Sequence, residues 1–167
     1  VNEIPMDTDM VCLCNPNNPT GQLIDREVLE QVADYCQKTD TCLLLDECFH
    51  DFLEAGSVHT LLPRVKENPK LFVLRAFTKM YGMAGLRLGY GICSDMELIR
   101  RMEQVTQPWN VSVPAQAAGI AAAREQEFVA VSRQMITEQK KLLLAGLEAA
   151  GAKVYGSAAN YIFFRAA

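Results

Sequence analysis

The chain has 167 residues, half of them apolar and 22% charged, and a formal net charge of −4. That composition predicts a substantial core in one domain or pieces of two, and it argues against a nucleic-acid binder, which needs a basic face. No apolar run approaches the roughly 20 residues that cross a bilayer, and Val1-Asn2-Glu3-Ile4-Pro5 has neither the basic start nor the apolar core of a signal peptide.

Strand and helix signals alternate. Met10–Cys14 is a short apolar run. It stops at Asn15-Pro-Asn-Asn-Pro-Thr-Gly21, where the prolines and glycine force a turn. A helix is predicted from about Asp25, with Val28, Leu29, Val32, Ala33 and Cys36 on one face. Thr41–Leu45 is an unbroken apolar run, as in a strand covered on both faces, and it ends abruptly in Asp46-Glu47. Leu71–Leu74 is a third strand running into Arg75-Ala-Phe-Thr-Lys79. Leu88–Cys93 is a fourth, with Gly89 and Gly91 marking close backbone approach.

Ser94-Asp-Met-Glu97 reads as a capping box for a helix to about Glu103, and Ser112 as the cap of another through about Ala123. A long helix is expected from about Glu127 to Ala150, its apolar face marked by Phe128, Val131, Met135, Leu142, Ala145 and Ala149. Gly151 is its stop signal, and Lys153–Tyr155 and Tyr161–Arg165 are late strands.

The six cysteines have no C-x-x-C pair and only two histidines for company, which reads as reduced, buried thiols in a cytoplasmic protein and gives no metal site. The alternation predicts an α/β fold with a mostly parallel sheet, whose ligands gather beyond the carboxyl ends of the strands. Asn18, Asp46 and Lys79 each follow a predicted strand.

Taken singly, these residues have ordinary readings. Asp46 is a strand-end carboxylate, costly unless paired, and equally a helix cap or surface acid. Lys79 sits among Phe77, Met80 and Tyr81; partial burial would favour the neutral, nucleophilic amine, but a loop lysine is usually a solvated charge. Arg87 has the fork that suits a phosphate, or a surface ion pair.

Taken together, four blocks resemble the successive signatures of the class I/II aminotransferases, a fold-type I family dependent on pyridoxal 5′-phosphate (PLP). They are Asn15-Pro-Asn-Asn-Pro-Thr-Gly21, Asp46-Glu-Cys-Phe49, Ala76-Phe-Thr-Lys79 and Gly85-Leu-Arg87-Leu-Gly89. The resemblance implies a three-layer α/β sandwich over residues 1–123 as part of the large PLP-binding domain. It also implies a linking helix and the start of a smaller α+β domain over 124–167.

For the site, the resemblance implies that Lys79 forms a Schiff base with PLP and moves the proton at the substrate α-carbon. It puts Asp46 at the pyridine nitrogen, where it strengthens the ring as an electron sink. Asn18 would bond the ring 3-oxygen, and Thr78 and Arg87 the phosphate. Two residues depart from the pattern. Phe49 stands where most members carry a tyrosine that donates to the 3-oxygen, and Ala76 lacks a hydroxyl often used on the phosphate.

Within the family the nearest likeness is to histidinol-phosphate aminotransferase and L-threonine-O-3-phosphate decarboxylase. Asp46–Phe52, Phe77–Tyr81 and Gln107-Pro-Trp-Asn-Val111 lean toward the second. The implied substrate is a small molecule, an amino acid or amino-phosphate, and the implied full-length enzyme is a homodimer about twice this length. A chain starting just before the Asn15–Gly21 turn would lack an upstream phosphate-cradling turn, a ring-stacking aromatic and a downstream carboxylate-binding arginine. It is therefore expected to turn over little by itself. Trp109 reads as a packing anchor between domains.

Overall fold

The computed structural model describes residues 3–53 and 56–166, with the backbone only at 56 and 57; Val1, Asn2, Glu54, Ala55 and Ala167 lie outside the described residues. Four strands form one sheet in the order β1 (Met10–Cys14), β2 (Cys42–Asp46), β3 (Leu71–Ala76), β4 (Gly89–Ile92). The first three are parallel, and β4 runs antiparallel to β3. The fold is α/β with a mostly parallel sheet, as the alternating pattern predicts. Parallel register puts Cys14 beside Asp46 and Asp46 beside Leu74. The strand ends that carry the polar residues therefore lie side by side.

Helix α1 (Arg26–Lys38) starts where its apolar spacing predicts, with the Asp25 carboxylate accepting from the Glu27 N–H. Its Leu29, Val32, Ala33 and Cys36 pack on Leu43, Leu45, Leu71 and Val73 to make the core. The opposite face of the sheet is less covered. Leu44, Phe72 and Leu74 there line a cavity of about 470 Å³ closed by Leu98 and Met102 of α2 (Met96–Val105). The expectation that β2 is buried on both faces thus holds for Leu43 and Leu45 and not for Cys42 and Leu44, which are half-buried.

Three other expectations are corrected. The cap of α2 is Asp95, whose Oδ1 accepts from the Glu97 and Leu98 N–H groups; the Ser94 hydroxyl is buried without a partner among the described residues. With Asp95 at the cap, the third helical position is Leu98 and no capping box forms; Glu97 pairs instead with Arg100 at 2.8 Å. Helix α3 (Val113–Ala122) does begin at Ser112, whose hydroxyl accepts from Ala115 N–H. The apolar face of α4 (Gln126–Ala149) is exposed: Phe128, Val131, Met135 and Leu142 all face outward among the described residues. The half-buried apolar residues of this helix are Val129, Ile136, Leu144 and Leu147, and polar contacts add to them. Arg133 Nε donates to the Asp51 carbonyl, and Lys140 Nζ to the carbonyls of Ser157 and Ala159. Trp109 anchors nothing in the described chain, being 96% exposed.

The last strands are shorter than expected. β5 (Lys153–Val154) and β6 (Phe164–Arg165) form a two-residue antiparallel ladder. Tyr161 is drawn out of it by a hydrogen bond to Asn17. No helix among the described residues is long and apolar enough to cross a membrane.

Candidate active site

The Asn15–Gly21 turn is held by its own amides. Asn15, fully buried, donates from Nδ2 to the His59 carbonyl and accepts from Ile24 N–H, both at 2.9 Å. Its backbone N–H donates to the Asp46 carbonyl at 2.9 Å, which ties the turn to the end of β2. Asn17 Nδ2 donates to Thr20 Oγ1 at 2.7 Å, and Gly21 closes the turn with φ of +68°, a region costly for other residues. Asn18, between these fixed points, is exposed and has no side-chain partner among the described residues.

Asp46 is half-buried at the last position of β2. Its Oδ1 accepts from Cys48 N–H at 2.9 Å and its Oδ2 lies 3.7 Å from Cys14 Sγ, a weak thiol donor. Both thiols are pushed up in pKa, by burial first and then by Asp46; Cys48 rises to about 12. They are thus held as neutral donors flanking the carboxylate. Sequence reading missed this role, because nothing in a strand pattern reveals that positions 14 and 46 are register partners. It also overstated their burial: Cys36 is buried, Cys12 is exposed, and all six thiols are free.

Behind the site sits a charged network. Glu47, 0% exposed, accepts from Arg75 Nη2 at 2.6 Å, Thr60 Oγ1 at 2.7 Å and Leu61 N–H at 3.1 Å. Arg75 also reaches Asp51 at 3.1 Å. The pair bolts the end of β2 to the end of β3, so the residues that leave those two strands start from a fixed frame.

Past β3, Thr78, Lys79 and Arg87 line a cavity of about 540 Å³ together with Cys48, Ala76, Gly89 and Tyr90. Cys48 touches Asp46 by its N–H and lines this cavity, so the carboxylate and the amine lie on the same strand-end edge. Lys79 is exposed, as in the solvated reading of a loop lysine; its Nζ lies 5.1 Å over the Phe49 ring, a cation–π seat. Arg87 has left-handed backbone, φ of 55°, and donates Nη1 to the Ala84 carbonyl at 3.0 Å. No carboxylate pairs with it among the described residues, so the ion-pair reading of Arg87 is not realised there. Of the five predicted site residues, Thr78, Lys79 and Arg87 line this cavity, while Asp46 adjoins it through Cys48 and Asn18 does not line it.

Comparison with known proteins agrees with the motif resemblance. The family profile described as Aminotransferase class I and II matches residues 2–166. The chain is 38% identical to a histidinol-phosphate aminotransferase of Anaeromyxobacter sp. over 93% of its length and 42% of that protein's. It is 37% identical to the threonine-phosphate decarboxylase of Salmonella typhimurium, over 95% of this chain and 43% of the other. Among solved structures, the histidinol-phosphate aminotransferase of Clostridium acetobutylicum superposes with a TM-score of 0.90 at 29% identity, over 96% of this chain and 48% of that one. The chain therefore spans less than half the length of these relatives. A profile matched from residue 2 to residue 166 leaves no part of the fold outside it: the chain belongs to the class I and II aminotransferase family.

Proposed function

We propose that this chain forms the cofactor-binding core of a PLP-dependent enzyme acting on an amino acid or amino-phosphate. The observation that carries the reading is the shared strand-end edge: Asp46 closes β2, while Thr78, Lys79 and Arg87 line one cavity just past β3. The donor set fits PLP. Lys79 is a primary amine for the aldehyde, seated over the Phe49 ring and in no ion pair among the described residues. Asp46 is an acceptor at the edge for a protonated ring nitrogen. Asn18 is an uncommitted amide for the 3-oxygen. Arg87 and Thr78 are donors for the phosphate, with no carboxylate competing among the described residues.

When bound, the cofactor supplies an electron sink that makes bonds at the substrate α-carbon labile. This chain's own residues do the rest. Asp46, with the Cys14 and Cys48 donors behind it, holds charge opposite the ring nitrogen. Lys79 carries a proton to and from the α-carbon. Phe49 offers only a ring face at the position where a hydroxyl is usual in the family, so Asn18 is the chain's remaining donor toward the 3-oxygen. We assign residues 1–123 to the large domain and 124–167 to a linking helix and the start of a smaller one. The outward apolar side chains of α4, together with Trp109, support a homodimeric full-length enzyme. The free thiols support a reducing, cytoplasmic setting.

The reaction is of the threonine-phosphate decarboxylase or histidinol-phosphate aminotransferase type. A substrate panel on the full-length protein separates them. Carbon dioxide release from threonine phosphate without amino transfer decides for the first, and amino transfer from histidinol phosphate for the second. Activity on either that survives Lys79→Ala would sink the reading. The exposure of Lys79 and Asn18 favours a second reading for these 167 residues taken alone: they fold and hold PLP without turnover. A full transamination rate from the isolated chain would refute that.

A further inference from the structure

Tyr161 joins the far end of the chain to the candidate site. Its hydroxyl donates to the carbonyl of Asn17, 144 positions away in sequence, at 2.7 Å. The same carbonyl accepts the Gly21 N–H at 2.6 Å, so it is gripped from within the turn and from outside it. The Tyr161 ring meets Phe49 edge-on, with centroids 5.2 Å apart and planes at 87°. Lys79 Nζ lies 5.1 Å over that same Phe49 ring. One half-buried side chain therefore touches both the turn that presents Asn18 and the ring that seats Lys79. Gln22 Nε2, donating to the Tyr155 carbonyl at 2.6 Å, and Ala158 N–H, donating to the Gly21 carbonyl at 2.8 Å, fix the two segments against each other.

We infer that Tyr161 is a positioning residue for the cofactor site, acting by its hydroxyl on Asn18 through the Asn17 carbonyl and by its ring on Lys79 through Phe49. The inference rests on the proposed PLP reading. The two arms are chemically separable. The hydroxyl arm concerns only the group that Asn18 binds, the ring 3-oxygen. The ring arm concerns the anchor, common to any pyridoxal phosphate. Because Phe49 supplies no hydroxyl of its own, the 3-oxygen depends more on Asn18 here than where a tyrosine shares the task.

The test compares PLP with 3-deoxypyridoxal phosphate by absorbance titration of the full-length apo-enzyme. Tyr161→Phe keeps the ring and removes the hydroxyl. It is expected to weaken PLP about 5-fold, the worth of one net hydrogen bond, and to leave the 3-deoxy analogue unchanged. Added to Asn18→Ala, it has no further effect on PLP. Tyr161→Leu removes the ring too and weakens both ligands. A merely structural role would weaken both alike in Tyr161→Phe, and that result overturns the inference; so does no change in either. Should Tyr161→Leu fail to fold, the Phe variant with its two ligands still decides. Failure of the PLP reading has a different mark: wild-type binding unchanged by Lys79→Ala.

Discussion

Arg75→Met should destabilise the fold more than any surface change, and the structure gives the size. Glu47 is 0% exposed and the Arg75 side chain 10% exposed, so neither charge is paired to solvent. Removing the guanidinium leaves the Glu47 carboxylate buried with Thr60 Oγ1 and Leu61 N–H as its only donors among the described residues. Breaking such a pair from one side costs about 3–5 kcal/mol. With a urea slope of about 2 kcal/mol per molar, the midpoint falls by about 2 M. The double variant Glu47→Leu/Arg75→Met removes both charges and should recover part of the loss, because the penalty comes from the orphaned charge; the cycle isolates that coupling. Urea denaturation of the apo-protein, followed by far-ultraviolet circular dichroism, measures the wild type, the two single variants Glu47→Leu and Arg75→Met, and the double. A cost below about 1 kcal/mol for the single variant, or strictly additive single effects, would refute the network as a frame for the strand ends.

Arg87→Met should weaken PLP about 10- to 100-fold, the worth of a charge-assisted hydrogen bond, while pyridoxal without its phosphate binds as before; equal losses would place Arg87 off the phosphate. Gly21→Ala meets two obstacles, a φ of +68° and an added Cβ 2.3 Å from Ser157 Oγ. It should cost about 1–2 kcal/mol from the backbone alone, seen as a fall in the melting temperature. The Cys48 thiol, pushed up to about 12 against an ordinary 9.0, stays neutral in the fold. Its contribution to stability is complete below pH 9 and is lost as pH rises through about 12. Iodoacetamide at pH 9 should therefore modify exposed Cys12 and spare Cys48, which mass spectrometry of the digested protein would read.

The elements were legible where local chemistry decides. Asp25, Ser112 and the spacing of Leu29, Val32 and Cys36 fix α1 and the start of α3 by capping and by period, and these match the sequence reading. Asp46 and Lys79 fall on one edge because strand ends in a parallel sheet share it. Other features rest on contacts that sequence distance hides. Asp95 displaced Ser94 as a cap because a carboxylate reached two N–H groups at once. Lys79 is exposed because its apolar neighbours turn elsewhere: Met80 is buried, and Tyr81 packs on Phe77 and Phe128. On α4 the spacing picked out Phe128, Val131, Met135 and Leu142, which are exposed, while Val129, Ile136, Leu144 and Leu147 are the half-buried ones: a helix apolar on more than one side does not say which side is covered. The partnership of Tyr161 with Asn17 could not be read at all, since the residues between them carry no sign of it.

The most direct measurement traps the cofactor where it sits. Full-length protein incubated with PLP, reduced with borohydride and digested should yield one pyridoxylated peptide, with the label on Lys79 and absent in Lys79→Ala. Label on another lysine, with Lys79 unmodified, would contradict the assignment of the anchor and the site built around it.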